Sequence, residues 1–151
     1  MIYYTLPDHH GLSENDDIVM TIDWDRRYKL MRLHFAAELI LELVTRDYQL
    51  IKVGAHIAET KSRIDFQSDF NISTIFESIL KQYEAIIMQD FPIQTGFSDF
   101  KAQRRYWKID GFAEVPCGGT HVKSTKEVGF VTLKRQNQGK GIERIEIRLV
   151  D

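Results

Sequence analysis

The sequence holds a single cysteine, Cys117. That excludes an intramolecular disulfide and fits a reducing cytosol. Long apolar runs are also missing. The longest apolar patches, near residues 39–44 and 86–88, fall far short of the ~20 residues that span a bilayer, so the expectation is a soluble, cytoplasmic protein with no membrane contact. Residues 1–8 lack the basic start and apolar stretch of a signal peptide. There is no internal repeat and no low-complexity linker. At 151 residues the chain is the size of one ordinary domain, and 1–151 is read as a single unit with one core.

Charge is unevenly spread. Residues 1–100 contain nine Lys/Arg and sixteen Asp/Glu, whereas residues 101–150 contain eleven Lys/Arg and five Asp/Glu. A basic C-terminal third is able to attract a polyanion; a solvated mixed surface accounts for the same charges.

Hydrophobic periodicity places the elements. Ile18, Met20 and Ile22 alternate with Val19 and Thr21, which predicts a strand over 17–23. Asp23 is a good helix N-cap. After it, Leu30, Leu33, His34, Ala37, Leu41 and Val44 recur at steps of three and four, predicting an amphipathic helix that ends near Arg46. Strands are expected at 49–58 and 62–66, around a turn at 59–61. Ser73 is placed to cap a second long helix, stopped within a few residues of Pro92. Further strands are expected at 97–102 and 105–109, and a closing hairpin at 128–135 and 142–150. In the last strand, Arg144, Glu146 and Arg148 alternate with Ile145, Ile147 and Leu149, giving one charged and one buried face. Helices and strands mixed without regular alternation predict an α+β fold with a mostly antiparallel sheet packed with two long helices.

Two pairs of potential ligands stand out. His34 and Glu38 are four apart on the first helix and so share a face. Cys117 and His121 are four apart in Pro116-Cys117-Gly118-Gly119-Thr120-His121-Val122, where the glycines let the backbone fold tightly and a substrate approach. A thiolate, two imidazoles and a carboxylate are a donor set that zinc accepts. Either all four residues bind Zn2+, or His34, Cys117 and His121 do and Glu38 is a catalytic general base toward a water. Taken singly, His34 fits a packed histidine, Glu38 a solvated helix residue and Cys117 an inert buried thiol. His9 and His10 read as solvated and His56 as a strand residue. Trp24, Tyr106 and Trp107 are suited either to stacking on bases or to packing.

Several segments together resemble the editing domain of alanyl-tRNA synthetases and its free-standing relatives, the AlaX family, itself related to the threonyl-tRNA synthetase editing domain. They are residues 23–34 (Asp23-Trp24-Asp25-Arg26-Arg27 through Leu33-His34), Ser62-Arg63-Ile64-Asp65-Phe66, the Cys117–His121 segment followed by Ser124-Thr125-Lys126-Glu127-Val128-Gly129, and Gly139-Lys140-Gly141-Ile142-Glu143-Arg144. The resemblance spans about residues 17–150, and the length matches the small form of the family. It implies the fold of the threonyl/alanyl-tRNA synthetase common (editing) domain. It also implies a trans-editing hydrolase that removes serine or glycine from mischarged alanine tRNA, with tRNA as partner and a role in translation fidelity. The family's zinc ligands carry over to His34, position 38, Cys117 and His121. Here the second helical histidine is Glu38, and the threonine usual after the first histidine is Phe35, which removes a hydroxyl and is expected to add bulk where a small amino acid sits. His34 and Glu38 are the catalytic candidates. Gly118, Gly119 and Thr120 are the substrate-binding candidates, through backbone N–H groups near an oxyanion. Lys101, Arg104, Arg105, Lys123 and Lys126 are the candidates for tRNA phosphates. The rival readings are a catalytically impaired tRNA-binding relative and a metal-dependent hydrolase of another small ester or amide.

Overall fold

Asp23 opens the first helix as its sequence position suggests: its carboxylate accepts from the Arg26 backbone N–H at 3.0 Å. The structure, a computed structural model, describes residues 4–150. In it α1 runs Trp24–Tyr48 and closes on Gln49 in the left-handed region. Next come β1 (Ile51–Ile57), β2 (Ser62–Gln67), a 3-10 turn (Ile72–Ile75), α2 (Phe76–Met88), β3 (Gln94–Asp99), β4 (Arg104–Ile109), β5 (Ala113–Pro116), the short α3 (Thr125–Val128), β6 (Val131–Gly139) and β7 (Ile142–Leu149).

The strands form two antiparallel sheets, one in the order β1-β2-β7-β6 and one in the order β3-β4-β5. The expected α+β class with antiparallel sheets and two long helices is what is observed. On the larger sheet Ile64, Phe66, Ile145 and Ile147 are buried together with α1, which packs on β1, β2 and β7. Its other face is laced by charge. Arg144 of β7 donates to Asp65 of β2 at 2.6 and 2.9 Å, with Arg63 also on Asp65. On this face Lys61, Gln136 and Arg148 all donate to Glu146. Arg135 donates twice to Glu143 at 2.6 Å on the opposite face, which also carries Phe66 and Ile145. Opposite charges facing each other across strands stabilise this sheet while keeping its outer face polar.

α1 buries more than the predicted stripe. Phe35, Ala36, Leu39, Ile40 and Leu43 are buried along with Leu33, Ala37 and Val44. The reason is that α1 is packed by the sheet and also by α2 and α3, so a single-stripe pattern describes only part of its surroundings.

Other expectations shift. Residues 17–23 form no strand: Ile18, Met20 and Ile22 are exposed and Val19 is 95% exposed. Alternation favours a strand only where another strand supplies hydrogen bonds, and among the described residues no strand pairs with this segment. Asn71, not Ser73, provides the cap before α2. Its Oδ1 accepts from the Ser73 N–H and opens the 3-10 turn from which α2 starts at Phe76. The strand expected at 97–102 lies three residues earlier, at Gln94–Asp99, because residues 100–103 form the turn into β4. Residue 128 belongs to α3, so the final hairpin begins at Val131.

Candidate functional site

His34 and Glu38 sit half-buried on one face of α1, with His34 Nε2 3.5 Å from Glu38 Oε1. The other carboxylate oxygen accepts from the indole N–H of Trp107 at 3.0 Å. Trp107 comes from β4 and is fully buried, edge-on to Phe35 with ring centroids 5.0 Å apart. Burial pushes the Glu38 carboxyl upward, but the hydrogen bonds from His34 and Trp107 and the charges of His34 and His121 outweigh it and hold it below the usual carboxylate range. The group is therefore ionised at neutral pH.

The Cys117–His121 loop leaves the end of β5 and is fixed at both ends. Upstream, the Cys117 N–H donates to Arg105 O at 2.9 Å. Downstream, Thr125 is fully buried and clasps the C-terminal end of α2: its hydroxyl donates to Ile86 O at 2.8 Å and accepts from the Phe91 N–H at 2.9 Å. Two arginines grip the loop itself. Arg27 of α1 donates to Thr120 Oγ1 at 3.1 Å, and Arg105 of β4 donates to Gly118 O at 3.2 Å. Gly119 lies directly on His34, where an added Cβ would come within 2.2 Å of the imidazole Cε1. Glycine is thus required there by close approach. At Gly118 nothing lies within 4 Å of such an atom.

The loop and helix bring Cys117 Sγ to 3.6 Å from His34 Nε2, and the rings of His34 and His121 stack with centroids 5.2 Å apart. Ligand atoms of His34, Cys117 and His121 all lie within 4.8 Å of one another. Both ring nitrogens of His121 are buried without a hydrogen-bond partner. Burial, followed by the charge of His34, lowers the His121 pKa to about 4, so its imidazole is neutral at pH 7. Burial pushes the Cys117 thiol up, as does the nearby Glu38 charge, while a backbone hydrogen bond from Gly119 pulls it down. A buried imidazole with neither nitrogen satisfied is costly, and coordination to a cation would relieve that cost. The residues present fit a metal ion.

Two clefts flank this cluster. The first, about 320 Å³, lies between α1 and β1 and includes His34, Glu38, Leu41, Lys52 and His56. The second, about 300 Å³, includes Trp24, Arg27, Met31, Arg105, Thr120 and His121. Arg27, Met31, His34 and Glu38 follow one another at steps of four, three and four, which sets them along one face of α1 from the second cleft to the first.

Among the sequence-derived candidates, His34, Glu38, Cys117, Gly119, Thr120, His121 and Arg105 meet here. Arg104 adjoins Arg105, Cys117 and Gly118 in a neighbouring surface groove. Lys101 is exposed in the β3–β4 turn, and Lys123 and Lys126 are exposed beyond the loop. Phe35, expected to add bulk where a small amino acid sits, is part of the core. Its ring is fully buried between Trp107 and His121 and lines neither cleft. His9 and His10 are exposed in the N-terminal segment. The sequence reading missed four residues: Trp107 as the partner of Glu38, Arg27 on the loop, and Lys52 and His56 in the cleft wall. Arg27 was accessible through its i, i+7 relation to His34. The other three depend on pairing between distant segments.

The model of the threonyl and alanyl tRNA synthetase second additional domain matches residues 107–146, which include the Cys117–His121 loop. The alanyl-tRNA editing protein AlaX-M of Pyrococcus horikoshii is 30% identical over 154 aligned residues, covering 98% of this chain and 69% of that protein. The chain belongs to the alanyl-tRNA editing protein family. The AlaX-M protein of Saccharolobus solfataricus is 31% identical over 95% of this chain and 69% of its own length. An alanine–tRNA ligase of Methanococcus maripaludis is 28% identical over 97% of this chain but only 19% of the ligase. Among the described residues no helix is long and apolar enough to cross a membrane.

Proposed function

We propose that this chain hydrolyses the ester joining serine or glycine to alanine tRNA, acting in trans in the cytoplasm, where translation takes place. The observation that carries this reading is the convergence of His34, Cys117 and His121 beside an ionised Glu38 at the mouth of a cleft, in a chain of the alanyl-tRNA editing family.

His34, Cys117 and His121 would hold Zn2+, since two imidazoles and a thiolate are its typical donors. Bound there, the ion supplies positive charge that polarises an ester carbonyl or acidifies a water. Glu38 is the general base. Its Oε2 is occupied by the Trp107 N–H and its Oε1 is turned to His34, so one oxygen is anchored while the other remains able to take a proton. A water donates that proton to Glu38 as its oxygen bonds to the ester carbonyl carbon. The ester C–O bond then breaks, and the ribose oxygen leaves with the proton returned from Glu38. The backbone N–H groups of Gly118 and Thr120 would serve the developing oxyanion, while that of Gly119 is engaged by Cys117. The lining of the first cleft by Ala37 and Ala55 suits a small side chain.

The test is deacylation of Ser-, Gly- and Ala-charged alanine tRNA. The expected result is release of serine or glycine well above the buffer rate, with Ala-tRNA spared. Turnover of none of the three would overturn the reading.

A further inference from the structure

The geometry points to the second cleft as the seat of the tRNA's terminal nucleotide, with its base on Trp24 and its phosphate between Arg27 and Arg105. This rests on the deacylase reading above.

Three observations carry it. Trp24 is 59% exposed at the start of α1 and lines this cleft. An indole left in solvent beside a pocket is a ready stacking surface for any base. Two guanidinium groups line the same cleft, and among the described residues neither is in an ion pair: Arg27 donates to Thr120 Oγ1 and Arg105 to Gly118 O. Both hydrogen-bond acceptors are uncharged, so the cationic charge remains available to a phosphate. Finally, the two clefts differ in charge and surface. The first contains the Glu38 carboxylate, which repels phosphate despite the nearby Lys52, and among the described residues no Trp or Tyr lines it.

Position along α1 gives the arrangement a direction. Trp24 and Arg27 precede His34 by two to three turns, and Glu38 follows it by one. His34 lines the first cleft and His121 the second, and their rings stack with centroids 5.2 Å apart. A nucleotide held in the second cleft therefore has its ester at the His34–Cys117–His121 cluster. Its amino acid projects into the first cleft, beside Ala37 and Ala55.

The experiment measures binding of a fluorescently labelled cytidyl-cytidyl-adenosine trinucleotide to the whole protein by anisotropy over a salt series. Trp24→Leu is expected to weaken binding about tenfold and Trp24→Phe to retain most of it, since an aromatic face is what matters. Arg27→Gln is expected to weaken binding and to flatten the salt dependence by about 0.7 log unit per log unit of salt, as for one lost contact to a single strand. Trp24→Leu is the decisive variant because the ring stacks on Tyr28 and supplies neither of the side-chain hydrogen bonds that hold the loop, which come from Arg27 and Arg105. Unchanged affinity in Trp24→Leu, or no trinucleotide binding by wild type at millimolar concentration, would overturn the inference. Failure of the deacylase reading looks different: no charged tRNA is turned over, yet trinucleotide binding still depends on Trp24, and the nucleotide site stands.

Discussion

The indole of Trp107 donates its only hydrogen bond to Glu38 Oε2 at 3.0 Å, and the opposite oxygen of the same carboxylate lies 3.5 Å from His34 Nε2. A residue of β4, 69 positions away in sequence, thereby sets the orientation of a carboxylate on α1. Because Trp107 is fully buried, the bond is shielded from competing water, and losing it leaves Glu38 free to turn.

Trp107→Phe keeps most of the ring volume and removes the donor. A hydrogen bond to a charged group contributes about 1.5–3 kcal/mol, which corresponds to roughly a tenfold or greater fall in rate. The loss is expected in kcat, with KM for charged tRNA little changed. A change confined to KM would contradict an orienting role.

Glu38→Gln preserves shape and removes the base. Deacylation is expected to fall by about 10²–10⁴-fold, the usual contribution of general base catalysis, while zinc content measured by atomic emission stays at the wild-type level. Loss of metal together with activity would make Glu38 a ligand instead.

Metal content tests the three-residue cluster directly. Protein purified without a histidine tag is expected to contain close to one zinc per chain, and Cys117→Ala and His121→Ala are expected to lose metal and activity together. Wild-type protein with less than about a tenth of an equivalent, and no recovery on adding zinc, would refute coordination there.

The two loop glycines are expected to respond in opposite ways. Gly119→Ala places a methyl group against the His34 imidazole, so His34 must move, and activity is expected to fall by about 10²-fold, as for an ångström-scale misplacement. Gly118→Ala meets nothing and should keep the wild-type rate to within a fewfold. Equal effects would mean that the contact with His34 does not matter.

Acid sensitivity follows from Asp65. Hydrogen bonds from Arg144, though partly opposed by burial, hold its carboxyl below the usual value. A depressed folded pKa contributes stability above the unfolded pKa, near 3.9, and that contribution is lost as pH falls through the lower folded value. Asp65→Asn is expected to lower stability at pH 7 by about 2 kcal/mol, with the gap from wild type closing below about pH 4. Thermal melts at pH 7 and pH 3 would check this. A gap of constant size would exclude the Asp65–Arg144 pair as its source.

Local chemistry was the part of this molecule legible in the sequence. Asp23 announces α1 because capping is decided within four residues, and the helical spacing of His34 and Glu38 puts them on one face without reference to anything distant. The Cys117–His121 loop declares itself by its glycines and by its family resemblance. What escaped was set by contacts between remote segments. The alternation at 17–23 has no strand to pair with among the described residues. Phe35, read from its place beside His34, turns inward because Trp107 and His121 offer it a buried face. Trp107 itself, two residues after Arg105 in β4, gave no local sign that its N–H would reach α1.

Thr125 gives the loop its second fixed end. With the ladder of β4 and β5 as one abutment and the Thr125 clasp on the end of α2 as the other, residues 117–124 behave as a short span rather than a free flap. Such a span bows sideways more easily than it stretches. A defect at Thr125, deep under the surface and touching no substrate, would slacken the whole span and register as a fault at the cluster.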